Sequence, residues 1–318
     1  MRHLPHPARA LAAAASCLLL VAACGSGEST STPLDRVDVV SDGGDGEAPE
    51  LQLETPVTVA ETSVEVLEQG EGRTVEEGDL VALDVLAVDG GSGEVLSSTF
   101  EGPTRLTLLA DPSTTVQGLL AGVIGQQEGS RVLVAVSPAD FPSAQGGAAT
   151  PEEGDGSVVL LVDVQGSVEV PDRASGVAQP PVDGLPQVTL ADDGAPTIAV
   201  PEGDPPTELR VETLVEGEGE PTAPGDTVAV QYQGVLWSDG SEFDSTWSSQ
   251  RPPFVFTLGA GQVIPAWDSG LAGVPVGSQV LVVAPPDQAY GDQENGGIPG
   301  GSTLVFVVDV LAALPAVR

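Results

Sequence analysis

Apolar and polar residues alternate with a period of two through much of the C-terminal third of the chain. Val228, Val230 and Tyr232 alternate with Ala229, Gln231 and Gln233, and Phe254, Phe256 and Leu258 form a second such run. Leu304, Phe306, Val308 and Val310 share one face of a third. A period of two puts successive side chains on opposite faces of a pleated strand, so the pattern predicts a sheet. One short stretch, Pro265 to Leu271, reads as helix: Pro265 sits where a first-turn proline is tolerated, and Gly273 where a C-terminal glycine is expected. The expected fold class is α+β, an antiparallel β-sheet wrapped around a short α-helix.

The frame occurs twice. Gly70-Glu71-Gly72 matches Gly217-Glu218-Gly219, Gly78-Asp79 matches Gly225-Asp226, and Ser98-Thr99 matches Ser245-Thr246. Further on, Gly122-Val123-Ile124-Gly125 matches Gly270-Leu271-Ala272-Gly273, Gly129 matches Gly277, and Val162-Asp163-Val164 matches Val308-Asp309-Val310. An offset that drifts by only a few residues over this distance marks a duplicated domain. The predicted organisation is a targeting segment over 1–23, a flexible acidic tether over 24–58, and a first domain over 59–167. A Pro-rich linker with one extra strand covers 168–205, and a second domain covers 206–318.

The targeting segment rests on Arg2 and Arg9 ahead of a fourteen-residue apolar run, Ala10 to Ala23. That length suits a signal peptide better than a membrane span. Val21-Ala22-Ala23-Cys24 resembles the lipobox of bacterial lipoproteins, in which the cysteine is lipidated and becomes the mature N-terminus. An acylated Cys24 would anchor the chain at the extracytoplasmic face of the cell membrane.

Charge narrows the partners. The chain carries 47 acidic residues against ten arginines and no lysine, a formal net charge of −37. Such a surface repels nucleic acid and anionic headgroups. Asp42-Gly43-Gly44-Asp45-Gly46-Glu47 lacks the spacing of a calcium loop and reads as part of the solvated tether. Both histidines, His3 and His6, and Cys17 precede the expected cleavage point, so a mature chain would hold no imidazole and no thiol beyond Cys24. Histidine triads, His-ligated zinc and disulfide chemistry then drop out. No metal and no cofactor is expected, and the protein is read as a monomer.

The candidate chemistry lies in the aromatics. Nine of eleven fall between Tyr232 and Phe306. Large apolar rings concentrated this way in an aromatic-poor chain point to one pocket. The surrounding residues run Gln231-Tyr232-Gln233-Gly234, Phe243-Asp244-Ser245-Thr246, Phe254-Val255-Phe256, Val263-Ile264-Pro265-Ala266-Trp267, Ala289-Tyr290-Gly291, Gly297-Ile298-Pro299 and Leu304-Val305-Phe306. In order and spacing this resembles the FKBP family of macrolide-binding peptidyl-prolyl cis-trans isomerases, over roughly residues 206–313.

The resemblance implies an isomerase acting on proline-containing polypeptides and open to macrolide inhibitors. It makes Trp267 the pocket floor, with Tyr232, Phe254, Val263, Ile264 and Phe306 as walls. Phe243 and Ile298 would line the rim, with Phe256 close behind. Tyr290 would donate its hydroxyl, and the Ile264 N–H would hold a second substrate carbonyl. Asp244 would be the one polar acceptor near the reacting amide. Two departures stand out: Gly300-Gly301 replace a proline-bearing turn, implying a looser flap, and no arginine occupies the usual position beside the aspartate, for which Arg251 is a shifted substitute.

The first copy keeps the frame and loses the pocket. Val85 aligns with Tyr232, Ser97 with Asp244, Leu119 with Trp267 and Leu160 with Phe306, while Tyr290 falls near Phe141-Pro142. A degenerate FKBP-like domain without isomerase activity is expected there. The leading reading is a membrane-tethered isomerase for exported proteins. The alternative is a non-catalytic chaperone or binding module on the same fold.

Overall fold

The computed structural model describes residues 33–44, 47–102, 105–141 and 157–316. The expected signal peptide, with Cys24 at its end, lies outside them. A 3-10 turn, Pro33–Arg36, leads into β1 (Val37–Ser41), which pairs antiparallel with β2 (Glu50–Leu53). The first copy follows as β3 (Ser63–Glu68), β4 (Leu80–Asp89), β5 (Val95–Ser98), β6 (Leu106–Leu109), α1 (Gln117–Val123), β7 (Arg131–Val136) and β8 (Val158–Val168). Its sheet order is β3-β7-β8-β4-β5, with β6 pairing the other end of β4.

The connecting segment holds β9 (Val177–Ala178) and a hairpin, β10 (Gln187–Leu190) and β11 (Pro196–Ala199). The second copy is β12 (Arg210–Glu216), β13 (Thr227–Leu236), β14 (Glu242–Ser245), β15 (Phe254–Thr257), α2 (Pro265–Gly270), β16 (Gln279–Ala284) and β17 (Leu304–Leu314). Its order, β12-β16-β17-β13-β14 with β15 on β13, repeats the first, and β9 adds one strand beyond β12. The fold is α+β in both copies, and α2 falls where the Pro265 and Gly273 signals put it.

The repeated motifs have local causes. Gly78 and Gly225 turn with φ of 90° and 96°, a region where glycine alone avoids a steric penalty. Their N–H groups donate to Ala110 O and Leu258 O, closing equivalent ends of the two sheets. The Ser-Thr pairs close another gap: Thr99 Oγ1 accepts from Val85 N at 2.8 Å, and Thr246 Oγ1 from Tyr232 N at 2.9 Å.

Period-two alternation predicts one wet face for each sheet, and here the structure differs. Leu86, Val88, Leu133 and Leu161 point away from the first helix and are buried under Leu34, Val37, Val57 and Val59. The tether expected over 24–58 is therefore packed from residue 33 onward, because the second face of the sheet is itself apolar and must be covered. Asp42, read as part of that tether, meets Arg131 at 3.3 Å. The linker expected over 168–205 does the same for the second copy: Leu185, Val188, Ile198 and Val200 cover Val235, Trp237, Leu281 and Val305. Ala48-Pro49-Glu50-Leu51 and Ala195-Pro196-Thr197-Ile198 begin or enter the second strands of the two hairpins, so the duplicated unit includes its hairpin.

The copies also touch. Leu80 of the first packs with Ala229 and Ala312 of the second, flanked by Val168, Val170, Val255 and Leu314. Buried Asp309 on β17 ties down the segment between them, accepting from Ala174 N and from Gln279 Nε2, both at 2.7 Å. Its counterpart Asp163 is instead paired with Arg131 through two bonds of 2.7 and 2.8 Å. Without such a cation, burial raises the Asp309 carboxyl above the usual range.

Packing of both hairpins has a direct consequence. Leu34→Ala and Leu185→Ala, at 2% and 8% exposure, should each cost about 2–4 kcal/mol of unfolding free energy. Chemical denaturation of the full chain measures this; values near zero would mean that these segments are the free tether and linker of the sequence reading.

Candidate active site

The aromatics predicted from sequence converge on one cluster between the second sheet and α2. Trp267, on the first turn of α2 and 4% exposed, meets Tyr232 of β13 with ring centroids 5.1 Å apart and Phe306 of β17 at 5.3 Å, both edge-on. Phe254 lies 6.3 Å from Tyr232 and 6.4 Å from Trp267, and stacks on Phe256 at 5.5 Å. Phe243 meets Phe306 edge-on at 5.5 Å. Val263 and Ile264, at the entry to α2, pack against the same cluster. Edge-to-face contacts set the positive edge of one ring on the negative face of another, which fixes ring orientation as well as burying area.

Exposure divides these residues. Tyr232, Trp267 and Phe306 are buried, whereas Phe254 and Tyr290 are each 41% exposed and form the open side. Phe256 is buried behind Phe254, as the sequence reading places it. Ile298, expected at the rim, is instead buried in the cluster. The turn that carries it is held by Ile298 N to Asn295 O at 2.9 Å and Gly301 N to Gly291 O at 2.9 Å. A Cβ on Gly300 would run into the Asp292 carbonyl, so this turn is tightly drawn in rather than loosened by its glycines.

Asp244 sits on β14 beside this opening, half-buried and fully engaged. Tyr232 donates its hydroxyl to Asp244 Oδ2, and Arg251 Nη2 donates to Asp244 Oδ1. Ser245 N adds a bond of 2.9 Å to Oδ1. Arg251 also reaches within 3.5 Å of the Tyr232 hydroxyl. The guanidinium from the β14–β15 loop thus does the orienting that the sequence left open. Burial, and then the bond to Asp244, pushes the Tyr232 phenol from its ordinary value near 10 up to about 12. Burial and the charge of Asp244 raise Tyr290 as well.

Gly234 is a site residue that the sequence reading did not single out. A Cβ there would lie 2.5 Å from Phe243 Cζ and 3.0 Å from Phe306 Cε1. The bare backbone lets these two rings meet over β13. An isolated glycine inside a strand run is the available signal, since it marks close approach of another group. Arg251 was visible only as a nearby cation; its pairing depends on how the loop folds back.

The first copy has the same register and a different filling. Ala87 pairs with Ser97 and with Leu160 just as Gly234 pairs with Asp244 and Phe306, so the sequence alignment of the two copies is the structural one. Val85 and Leu119 stand among aliphatic neighbours in the core. In α1, Gly118 and Gly122 approach Val136 and Val134 so closely that a Cβ at either would clash. The helix sits down on the sheet, and Phe141 packs at its edge without a hydroxyl to offer.

A family model described as FKBP-type peptidyl-prolyl cis-trans isomerase matches residues 218–311. An FK506-binding protein of Streptomyces anulatus is 44% identical over 119 residues, 37% of this chain and 95% of that protein. A probable FK506-binding protein of Corynebacterium glutamicum is 36% identical over 118 residues, 37% of this chain and 98% of its own. Among solved structures, FkpA from Escherichia coli is 35% identical over 42% of this chain and 54% of that one, with a TM-score of 0.32. The chain belongs to the FKBP-type peptidyl-prolyl cis-trans isomerase family.

The raised phenols are directly observable. Ultraviolet titration should show both tyrosines ionising above the ordinary phenol value, with Tyr232 reaching its midpoint only near pH 12. A raised folded pKa stabilises the fold fully below the unfolded value of about 10, and that contribution is lost as pH rises from 10 through 12. Tyr232→Phe should flatten the loss of stability in that window. Two phenols titrating together near 10 would show that Tyr232 is neither buried nor bound to Asp244 in solution.

Proposed function

We propose that the aromatic cluster of the second copy is the isomerase site, and that it acts on X-Pro bonds of exported polypeptides. The observation that carries this reading is the carboxylate of Asp244, held by Tyr232 and Arg251 beside an aromatic cluster in which Phe254 remains 41% exposed. A core has no use for a Tyr–Asp–Arg network at its edge.

The reaction asks for no nucleophile and no proton transfer. Turning an amide costs about 18–20 kcal/mol because rotation breaks C–N resonance. The twisted amide is less polar than the planar one, and a dry cavity favours it over a ground state that prefers hydration. In this reading the proline ring stands on Trp267, enclosed by Tyr232, Phe254, Val263, Ile264 and Phe306. Phe243, Phe256 and Ile298 hold those walls in position. The Ile264 N–H, at the start of α2, and the Tyr290 hydroxyl hold substrate carbonyls on either side of the turning bond. Asp244, its orientation set by Arg251, presents a fixed negative charge to the amide as its carbonyl rotates.

The relatives' name supports macrolide binding in the same cavity. Lipidation of Cys24 and work at the extracytoplasmic face of the cell membrane complete the proposal; their support is the Val21-Ala22-Ala23-Cys24 motif. No described helix is long and apolar enough to cross a membrane.

Asp244→Val in the full chain should lower kcat/KM on a short X-Pro peptide roughly ten- to hundredfold, matching the about 1.5–3 kcal/mol of a hydrogen bond to a charged group. Trp267→Ala should remove nearly all turnover, since the first copy offers no second site. Circular dichroism checks that both variants fold; activity within about twofold of the parent, under 0.5 kcal/mol, would overturn the assignment. Cys24→Ser should abolish membrane fractionation or leave an unprocessed precursor, read by mass spectrometry. A variant that stays on membranes with an unchanged mature N-terminus would refute the anchor.

A further inference from the structure

The site in the second copy opens into a groove that the first copy completes. From Tyr232, Arg251 and Phe254, a cavity of about 660 Å³ runs to Thr107–Leu109 and Ser113–Thr115 of the first copy. Its lining holds no Asp or Glu, in a chain with 47 of them, and its single charged side chain, Arg251, is already bound to Asp244. Threonine and serine hydroxyls, Pro252, Pro253 and Val255 make up much of the rest.

The two banks are the same element of the repeat. β6 and β15 are equivalent strands, each paired on one side only, β6 to β4 and β15 to β13. In an antiparallel ladder alternate residues turn N–H and C=O toward the partner strand, and those between turn them away. The bonds Ala110 N to Asp79 O, 2.7 Å, and Leu258 N to Asp226 O, 2.9 Å, set the phase. Thr107 and Val255 consequently direct their main-chain groups to the open edges. No strand pairing joins β6 to β15 among the described residues.

A trough free of acidic side chains, bordered by two open strand edges and continuous with a proline site, fits one occupant. We propose that it binds the extended, uncharged stretch of polypeptide flanking the proline, through main-chain hydrogen bonds to these edges, with the first copy as one bank of the substrate site. The inference rests on the aromatic cluster being the isomerase site. It assigns the first copy a task that needs no pocket of its own: its contribution is an edge strand and a polar turn. Main-chain pairing gives affinity with little demand on side-chain identity.

The test compares two substrates in the full chain: a tetrapeptide with a central X-Pro bond and a twelve-residue peptide with the same centre and uncharged flanks. The expected kcat/KM is higher for the longer peptide by roughly tenfold, a difference of about 1.4 kcal/mol. Ser113→Trp, an exposed position that would block the trough, and Thr107→Pro, which removes an outward N–H at a strand edge where proline is tolerated, should each bring the ratio of the two substrates toward one. Thermal unfolding confirms that both variants fold. A ratio near one in the parent protein, or a ratio unchanged in both variants, would overturn the groove while leaving the isomerase site standing. Turnover of neither peptide by the parent would instead overturn the site reading, and the groove with it.

Discussion

A six-residue helix cannot hold itself in water, because nucleation costs more than so few hydrogen bonds return. Helix α2 persists through Trp267, which wedges edge-on between Tyr232 and Phe306 and pins the helix to the adjacent strands β13 and β17. The indole joins the helix to the sheet and lies at the centre of the aromatic cluster, so the packing of both depends on one residue. The rings at the rim then take their orientation from the rings below them, and the Phe243–Phe306 contact in turn requires the bare backbone of Gly234.

The polar part of the site follows from the same geometry. Tyr232 serves two ends: its ring packs on Trp267, and its hydroxyl reaches Asp244 at the cavity mouth. Holding that phenol in a largely desolvated position raises its pKa to about 12, so it remains a donor at any physiological pH. Arg251 completes the arrangement from a loop. A carboxylate bound by a phenol, a guanidinium and a backbone N–H has a fixed orientation, and a reaction without proton transfer needs orientation above all.

The first copy is the internal control. It has the strand order, the turn glycines and the threonine bridge of the second, and lacks the rings, the carboxylate and the phenol. With Gly118 and Gly122 facing the sheet, α1 settles directly onto Val136 and Val134. Aliphatic side chains fill the core there. The two sheets are alike on their outer faces, each roofed by the hairpin that precedes it, which makes hairpin and sheet together the unit that was duplicated.

Much of this was legible in the sequence because it is local. Period-two runs, the Pro265 and Gly273 helix signals, the spacing of the repeated glycines and the clustering of nine aromatics each report short-range constraints on backbone or composition, and they led to the fold, the duplication and the aromatic cluster. What lay beyond reach depends on contacts between segments distant in the chain. Residues 33–58 and the 168–205 linker look like solvated spacers, since Gly, Pro, Asp and Glu make up about half of each. Their few apolar side chains, Leu34, Val37, Leu185 and Val188, become decisive only when a sheet with two apolar faces is there to be covered. The pairing of Arg251 with Asp244, the burial of Ile298 and the placing of β6 and β15 residues around one cavity are likewise matters of tertiary placement. Each depends on where a loop or strand edge comes to rest in space, and that position follows from the packing of the whole molecule, not from the residues on either side.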